Sequence, residues 1–262
     1  MTSSAEAYEA ILVPEVFRPW AELMVREAGI RFGLRTLDVA CGTGIVARCA
    51  ARLSGADGES TGLDIDPAMI EVARAVSIQE GLAVTYRCGS ATELPFQPNT
   101  FDAAFCLQGL QYFPDKAAAL SELHRVMRKN AMLVVATWSE MLECAGHWAM
   151  ISALERRNID ATDMRKPFAL SDPADLRRLA EAAGFGSVNV RTLRRRAHFA
   201  SVKAFVESIA QGAPSSRLAL AKVPADEWPD FLADVERQLA PWCPDGRLAF
   251  PMASLVLSAR RN

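Results

Sequence analysis

Paired cysteines are missing. The six cysteines lie singly at 41, 49, 88, 106, 144 and 243, with no Cys-x-x-Cys among them, and none of the three histidines stands at zinc-finger spacing. This scatter argues against a disulfide scaffold and predicts no metal site. Most of these cysteines fall in apolar runs and read as small buried hydrophobes. Long hydrophobic runs are missing too: none approaches the ~18 residues of a spanning helix. The first residues are polar and acidic where a secretory leader is basic and then apolar. A soluble cytoplasmic protein is the expectation. No sign of charge dominates, with 29 basic residues against 31 acidic and a formal net charge of −2. Nothing global steers such a chain to nucleic acid or to an anionic membrane. The densest basic cluster, Arg191, Arg194, Arg195 and Arg196, reads as the solvated end of a strand, with phosphate contact as its other reading.

What is present is apolar residue in quantity: 50% of 262 residues, enough for one sizeable core and a smaller cap. From about 30 to 137, short β-like runs alternate with amphipathic stretches. Strands are predicted at 35–40, 59–65, 83–88, 101–107 and 132–137, and helices at 45–53, 67–79 and 116–128. Asp66 is a good N-cap for the second helix, with Pro67 at its first position. Nearly all-apolar strands separated by helices predict an α/β fold: a Rossmann-like, seven-stranded, mostly parallel sheet covered on both faces, plus a helical cap. After 138 the rhythm changes. Helices are predicted at 140–157 and 171–183, the latter opened by Asp172 and Pro173 and ended by Gly184. A sixth strand is predicted at 188–193 and a seventh at 250–259. The core is thus placed at 30–193 and 249–262. The stretch 194–248, broken by Pro214, Pro224, Pro229, Pro241 and Pro244, is too long for plain loop and reads as a helical insert that caps the active site. Residues 1–29 look helical, with Phe17 and Trp20 on a shared face, and are expected to join that cap.

Gly42-Thr43-Gly44-Ile45-Val46-Ala47 satisfies Gly-x-Gly-x-x-Gly/Ala between a strand and a helix, and Asp64 lies twenty residues after Gly44. Glycines let backbone approach a ligand, and an acid at the next strand tip accepts from ribose hydroxyls. Taken alone, this does not separate a nicotinamide cofactor, and hence an NAD-dependent oxidoreductase, from another adenosine cofactor. A phosphate loop fits less well, because no Gly-Lys-Ser/Thr follows.

The longer series Leu37-Asp38-Val39-Ala40-Cys41-Gly42-Thr43-Gly44, Gly62-Leu63-Asp64-Ile65-Asp66-Pro67, Cys88-Gly89-Ser90-Ala91-Thr92-Glu93-Leu94-Pro95-Phe96 and Phe101-Asp102 through Pro114-Asp115 resembles, in order and spacing, the motifs of class I S-adenosylmethionine-dependent methyltransferases. Its flavour is that of the ubiquinone/menaquinone-type and small-molecule branch. The resemblance covers residues 30–137; the C-terminal half resembles the family only in fold rhythm. It implies S-adenosyl-L-methionine as donor and S-adenosyl-L-homocysteine as product. It places Ala40, Cys41, Gly42 and Gly44 along the amino-acid end of the cofactor, and Asp38 beneath the turn to help receive the ammonium. Asp64 is implied at the ribose hydroxyls, Ile65 on adenine, and Ser90, Ala91 and Thr92 around the adenine edge. Leu107 and Gln108 end the fourth strand beneath the sulfonium. The family often has an aspartate where Ser90 stands, and usually a Pro-Gly-Gly turn where Arg128-Lys129-Asn130-Ala131 stands here.

The chemistry expected from this reading is methyl transfer to oxygen or nitrogen of a small, hydrophobic or aromatic metabolite of secondary metabolism. Transfer to carbon of a quinone-like ring is the alternative within the enzyme class, and a non-catalytic cofactor-binding partner subunit the alternative outside it. The aromatics of the cap, Trp138, Trp148, Phe168, Phe205 and Trp228 among them, suit such an acceptor. The insert has no basic-aromatic stripe for nucleobases, so nucleic acid is not an expected partner. No catalytic base is assigned: His147 is expected near the acceptor pocket, His198 at the start of the insert, and His124 on the back of the sheet. Tyr112 is placed to touch acceptor or cofactor. The sequence leaves the oligomeric state open, a homodimer included.

Overall fold

The computed structural model describes residues 3–262, less the side chains of residues 214 and 215. Helix α1 (Ser4–Ala7), a π-helical stretch (Tyr8–Phe17) and α2 (Arg18–Glu27) lead into β1 (Arg35–Val39). Then follow α3 (Ile45–Ser54), β2 (Glu59–Asp64), α4 (Pro67–Gln79), β3 (Val84–Cys88), β4 (Phe101–Leu107), α5 (Lys116–Val126) and β5 (Met127–Trp138). The second half carries α6 (Ala145–Glu155), α7 (Thr162–Arg165), α8 (Pro173–Ala182), β6 (Phe185–Phe199), α9 (Val202–Gly212), α10 (Pro214–Leu220), α11 (Trp228–Leu239) and β7 (Leu248–Arg261).

The strands form one seven-stranded sheet in the order β3-β2-β1-β4-β5-β7-β6. All pairings are parallel except those of β7, which runs antiparallel to both β5 and β6. The α/β, Rossmann-like fold expected from the sequence is therefore the fold observed. Alternation along the strands divides the core in two. Ala103, Phe105, Val134 and Ala136 join one cluster with Trp20, Val46 and Met150. Ala104, Cys106, Leu133 and Val135 join the other, with Leu120, Leu123 and Leu176. Successive side chains point to opposite faces, so helices must cover both. β1 has β2 on one side and β4 on the other, which makes this point of the sheet a crevice at the strands' C-terminal ends.

Helix starts follow local chemistry. Asp66 accepts from Ala68 N at 2.8 Å ahead of Pro67, and Asp172 from Ala174 N at 2.8 Å ahead of Pro173. No helix among the described residues is long and apolar enough to cross a membrane.

The structure departs from the sequence reading mainly in the second half. β6 runs from 185 to 199 rather than 188 to 193, so the boundary placed at 194 falls inside a strand, and residues 200–247 lie between β6 and β7. Arg194, Arg195 and Arg196 pair with Ala253, Met252 and Pro251 of β7. The strand is at the sheet edge, and its side chains there are exposed, so its polarity hides it from a search for apolar runs. Arg191 pairs with Glu27 at 2.6 Å, Arg194 with Glu143, and Arg195 lies over the Trp20 ring, so the arginine cluster is a solvated strand end. Residues 128–131 are not a turn before the strand. They lie within β5, where pairing jumps from Phe101↔Met127 to Ala103↔Met132 and Asn130 takes φ +65°. The helix predicted at 140–157 is a 3-10 turn (Met141–Glu143) followed by α6, and α7 with the following turn (Lys166–Phe168) was not predicted.

Candidate functional site

The site grows from the turn after β1. Ala40, Gly42 and Gly44 all take positive φ, +55°, +53° and +85°. At Gly44 a Cβ would stand 2.2 Å from the Tyr86 hydroxyl, so only glycine fits. This sharp path turns the chain into α3 and leaves backbone facing the crevice. Asp38 sits beneath it, with Oδ2 accepting from Ala47 N at 3.1 Å in the first turn of α3. Its Oδ1 is buried without a partner, and burial pushes the carboxyl up to about 8 against that amide bond. Asp64, at the tip of β2, clamps the turn from the side: Oδ2 accepts from Gly42 N at 2.7 Å and Oδ1 from Asp66 N at 3.0 Å. Burial raises its pKa while these amides oppose the rise. After β3, Ser90 accepts from Thr92 N at 3.2 Å and its hydroxyl meets that of Thr92 at 2.8 Å, fixing a short polar turn.

Gln108 ends β4 at φ +55°. Its backbone N donates to Ala136 O at 2.8 Å, its Nε2 to Ser254 Oγ at 2.9 Å, and its Oε1 accepts from Gln111 Nε2 at 3.1 Å. The amide therefore joins β4, β5 and β7 below the crevice.

These strand ends open on a cavity of about 570 Å³. Of the twelve residues singled out in the sequence, Ala40, Gly42, Asp64, Ile65, Ser90, Ala91, Thr92, Leu107 and Gln108 line it. Asp38, Cys41 and Gly44 lie behind the wall. Cys41 turns into a small cluster with Ala47, Ile70, Ala73 and Tyr86, and Gly44 is covered by Tyr86. Both shape the turn from behind.

The other walls come from far along the chain. Tyr8 stands against the glycine turn, 3.8 Å from where a Gly42 Cβ would be. Burial raises its hydroxyl pKa well above the ordinary value, which keeps it a neutral phenol. Leu12, Val16, Trp138, Phe205, Ile209 and Met252 add apolar lining, and Lys166 and Tyr112 also reach the cavity. Tyr8, Ile209 and Met252 carried no signal in the sequence, because each is an ordinary apolar position in its own element. Arg48 fastens the N-terminal segment in place. It is wholly buried, bonds the Thr43 carbonyl, and pairs with Glu9 at 2.6 Å and Glu80 at 3.1 Å.

The histidines separate. His147 lines the cavity, edge-on to Phe168 at 5.7 Å and to Phe205 at 6.4 Å. Burial pushes its imidazole down to about 4, so it is neutral at pH 7. His124 packs edge-on to Phe185 on α5, in the helical layer outside the sheet. His198 is exposed on β6 rather than at the start of the insert.

Residues 37–135 match the family described as methyltransferase domain. An uncharacterised protein of Mycobacterium tuberculosis is 35% identical over 147 residues, 56% of this chain and 51% of that protein. A demethylmenaquinone methyltransferase of Staphylococcus aureus is 29% identical over 191 residues, 68% of this chain and 78% of that enzyme. The chain spans about half the length of the first of these relatives. In three dimensions it is similar to the crystal structure of a putative methyltransferase from Bacillus halodurans, with a TM-score of 0.62 at 20% identity, covering 92% of this chain and 98% of that one. Residues 37–135, which carry the motif series on the tips of β1 to β4, are thus similar in sequence to the methyltransferase domain family, and the sheet around them has the expected Rossmann-like fold.

Proposed function

We propose that this protein is an S-adenosylmethionine-dependent methyltransferase that delivers the methyl group to an oxygen or nitrogen of a small, hydrophobic or aromatic metabolite. The observation that carries the proposal is a single cavity with two unlike ends: glycine turn and Asp64 at one, aromatic and aliphatic side chains at the other.

The residues fit such a donor. Only Tyr8 lies within 4 Å of where a Gly42 side chain would stand, so the turn offers open backbone. Asp38 keeps an unpartnered buried oxygen behind that turn. Each Asp64 oxygen accepts one amide and retains a lone pair for a hydroxyl donor. When bound, S-adenosylmethionine supplies a methyl group made electrophilic by its sulfonium. Asp64 would hold the ribose hydroxyls, the Ala40–Gly44 turn with Asp38 the amino-acid end, and Ile65, Ser90, Ala91 and Thr92 the adenine. Leu107 and Gln108 then form the floor, and Tyr8 the roof. The chain's own contribution to rate is orientation and exclusion of water. Phe205 and Ile209 of α9 line the cavity with Leu12 and Val16, which supports residues 1–29 and the insert as one cap.

Titration with S-adenosylhomocysteine tests the donor, and no heat of binding at millimolar ligand ends the proposal. A methyl-transfer screen over metabolite fractions tests the activity. No methylated product from any fraction would favour a cofactor-binding partner subunit, although an open cavity argues against that reading. Transfer to carbon of a quinone-like ring is the second reading, favoured by the similarity to the Staphylococcus aureus enzyme. The position of a labelled methyl group in the product distinguishes the two.

A further inference from the structure

The acceptor end of the cavity is built from Leu12, Val16, Trp138, Phe205, Ile209 and Met252, and one ionisable ring is set among them. His147 is buried on α6, and its Nδ1 has no hydrogen-bond partner. No group among the described residues hydrogen-bonds the ring. Its place is fixed by packing. The preceding Gly146 lets α6 press against Phe205 and Phe250, where a Cβ would stand 2.5 Å from the Phe250 ring, and the edges of Phe168 and Phe205 hold the imidazole. A polar ring kept dry and unpaired weakens a fold, and a phenylalanine would fill the same space without that cost. His147 is itself part of the cavity wall, and Nε2, unlike Nδ1, is not sealed from it, so this nitrogen is the one that can take a partner from the cavity.

We propose that His147 is the polar anchor of the acceptor chamber, holding by one hydrogen bond the oxygen of a neutral, oxygen-bearing aromatic acceptor. This rests on the methyltransferase reading and narrows it to an acceptor class. The imidazole positions rather than deprotonates. No carboxylate or other charged group orients it, burial alone being the cause of its depressed basicity. Against a phenol near 10, an imidazolium near 4 leaves proton transfer about six pKa units uphill. An anionic acceptor would leave water for the same apolar walls, and Lys166, which also reaches the cavity, is already paired with Asp163 at 2.6 Å, so the chamber selects against it.

The test uses 2-naphthol and naphthalene as probes, titrated into the full-length protein with and without S-adenosylhomocysteine. For the wild type, the ratio of naphthalene to naphthol dissociation constants should exceed that of H147F by about five- to tenfold, the worth of one neutral hydrogen bond. Naphthalene binding and S-adenosylhomocysteine binding should be the same in both proteins. H147Q should recover part of the ratio, and H147L, which likewise cannot hydrogen-bond, replaces H147F in the comparison if that variant fails to fold. An unchanged ratio in the variant overturns the proposal, as does absence of naphthol binding up to its solubility. Loss of S-adenosylhomocysteine binding by the wild type would instead sink the donor reading, while the probe ratio measured without it still judges the anchor.

Discussion

Asp38→Asn should make the protein more stable, and increasingly so as pH rises. The carboxyl is buried beneath the glycine turn, and its pKa moves from 3.8 to about 8, through burial first, with the Ala47 amide opposing. Below pH 3.8 the carboxyl is neutral in both folded and unfolded chains and costs nothing. Between 3.8 and about 8 the unfolded chain has lost a proton that the folded chain keeps, so stability falls as pH rises. Linkage gives about 2 kcal/mol lost at pH 5 and roughly 4 kcal/mol at pH 7, as upper bounds. An asparagine keeps an oxygen for Ala47 N and does not ionise. Its amide is left where Oδ1 has no partner, which returns about 1–3 kcal/mol of that gain. The diagnostic quantity is therefore the pH dependence. In urea unfolding, the stability difference between variant and wild type should grow by about 2–3 kcal/mol from pH 5 to pH 7 and flatten above pH 8. The same carboxyl should release close to one proton when S-adenosylhomocysteine brings its ammonium to the turn at pH 7. Titrations in two buffers of different ionisation heat measure that release. A stability difference that does not change with pH would refute a neutral Asp38 in the folded protein.

Gly44→Ala places a Cβ at φ +85° against the Tyr86 hydroxyl, so urea denaturation should show a loss of about 2–4 kcal/mol and calorimetry a loss of S-adenosylhomocysteine binding. Wild-type stability would mean that the turn yields. Asp64→Ala removes the acceptor of two backbone amides and should weaken S-adenosylhomocysteine by about 1–3 kcal/mol in a folded protein, with unchanged affinity counting against the ribose role. Arg48→Met strands the Glu9 carboxylate beside the glycine turn and should cost about 3–5 kcal/mol, a loss that Arg48→Met with Glu9→Gln should largely restore.

The site was half legible in the sequence, and the legible half is continuous. Strand tips and the turns that follow them are local objects: glycines at 42 and 44, an acid at 64 and a short polar turn at 90–92 sit at fixed distances from apolar runs. Nine of the twelve positions that the sequence singles out line one cavity. What failed was the polar edge. β6 carries arginines because its outer side faces water, so apolar patterning ends the strand at 193 and places His198 in the insert. Tyr8 and Ile209 could not be found this way, since helical apolar periodicity names a buried face without naming what it buries against.

By itself, then, the sequence determined the parallel α/β sheet and the glycine turn and acidic strand tip at one end of the cavity, because these rest on local periodicity and on backbone conformations that only certain residues tolerate. The tertiary structure alone decided the other end of the cavity. Residues 8–16, 138, 147, 205–209 and 252 lie in segments remote along the chain and meet only when β7 inserts between β5 and β6 and carries α9 back over the crevice. It also decided that Asp38 and His147 are neutral near pH 7, since a pKa follows from burial and neighbours, and neither is written in the order of residues.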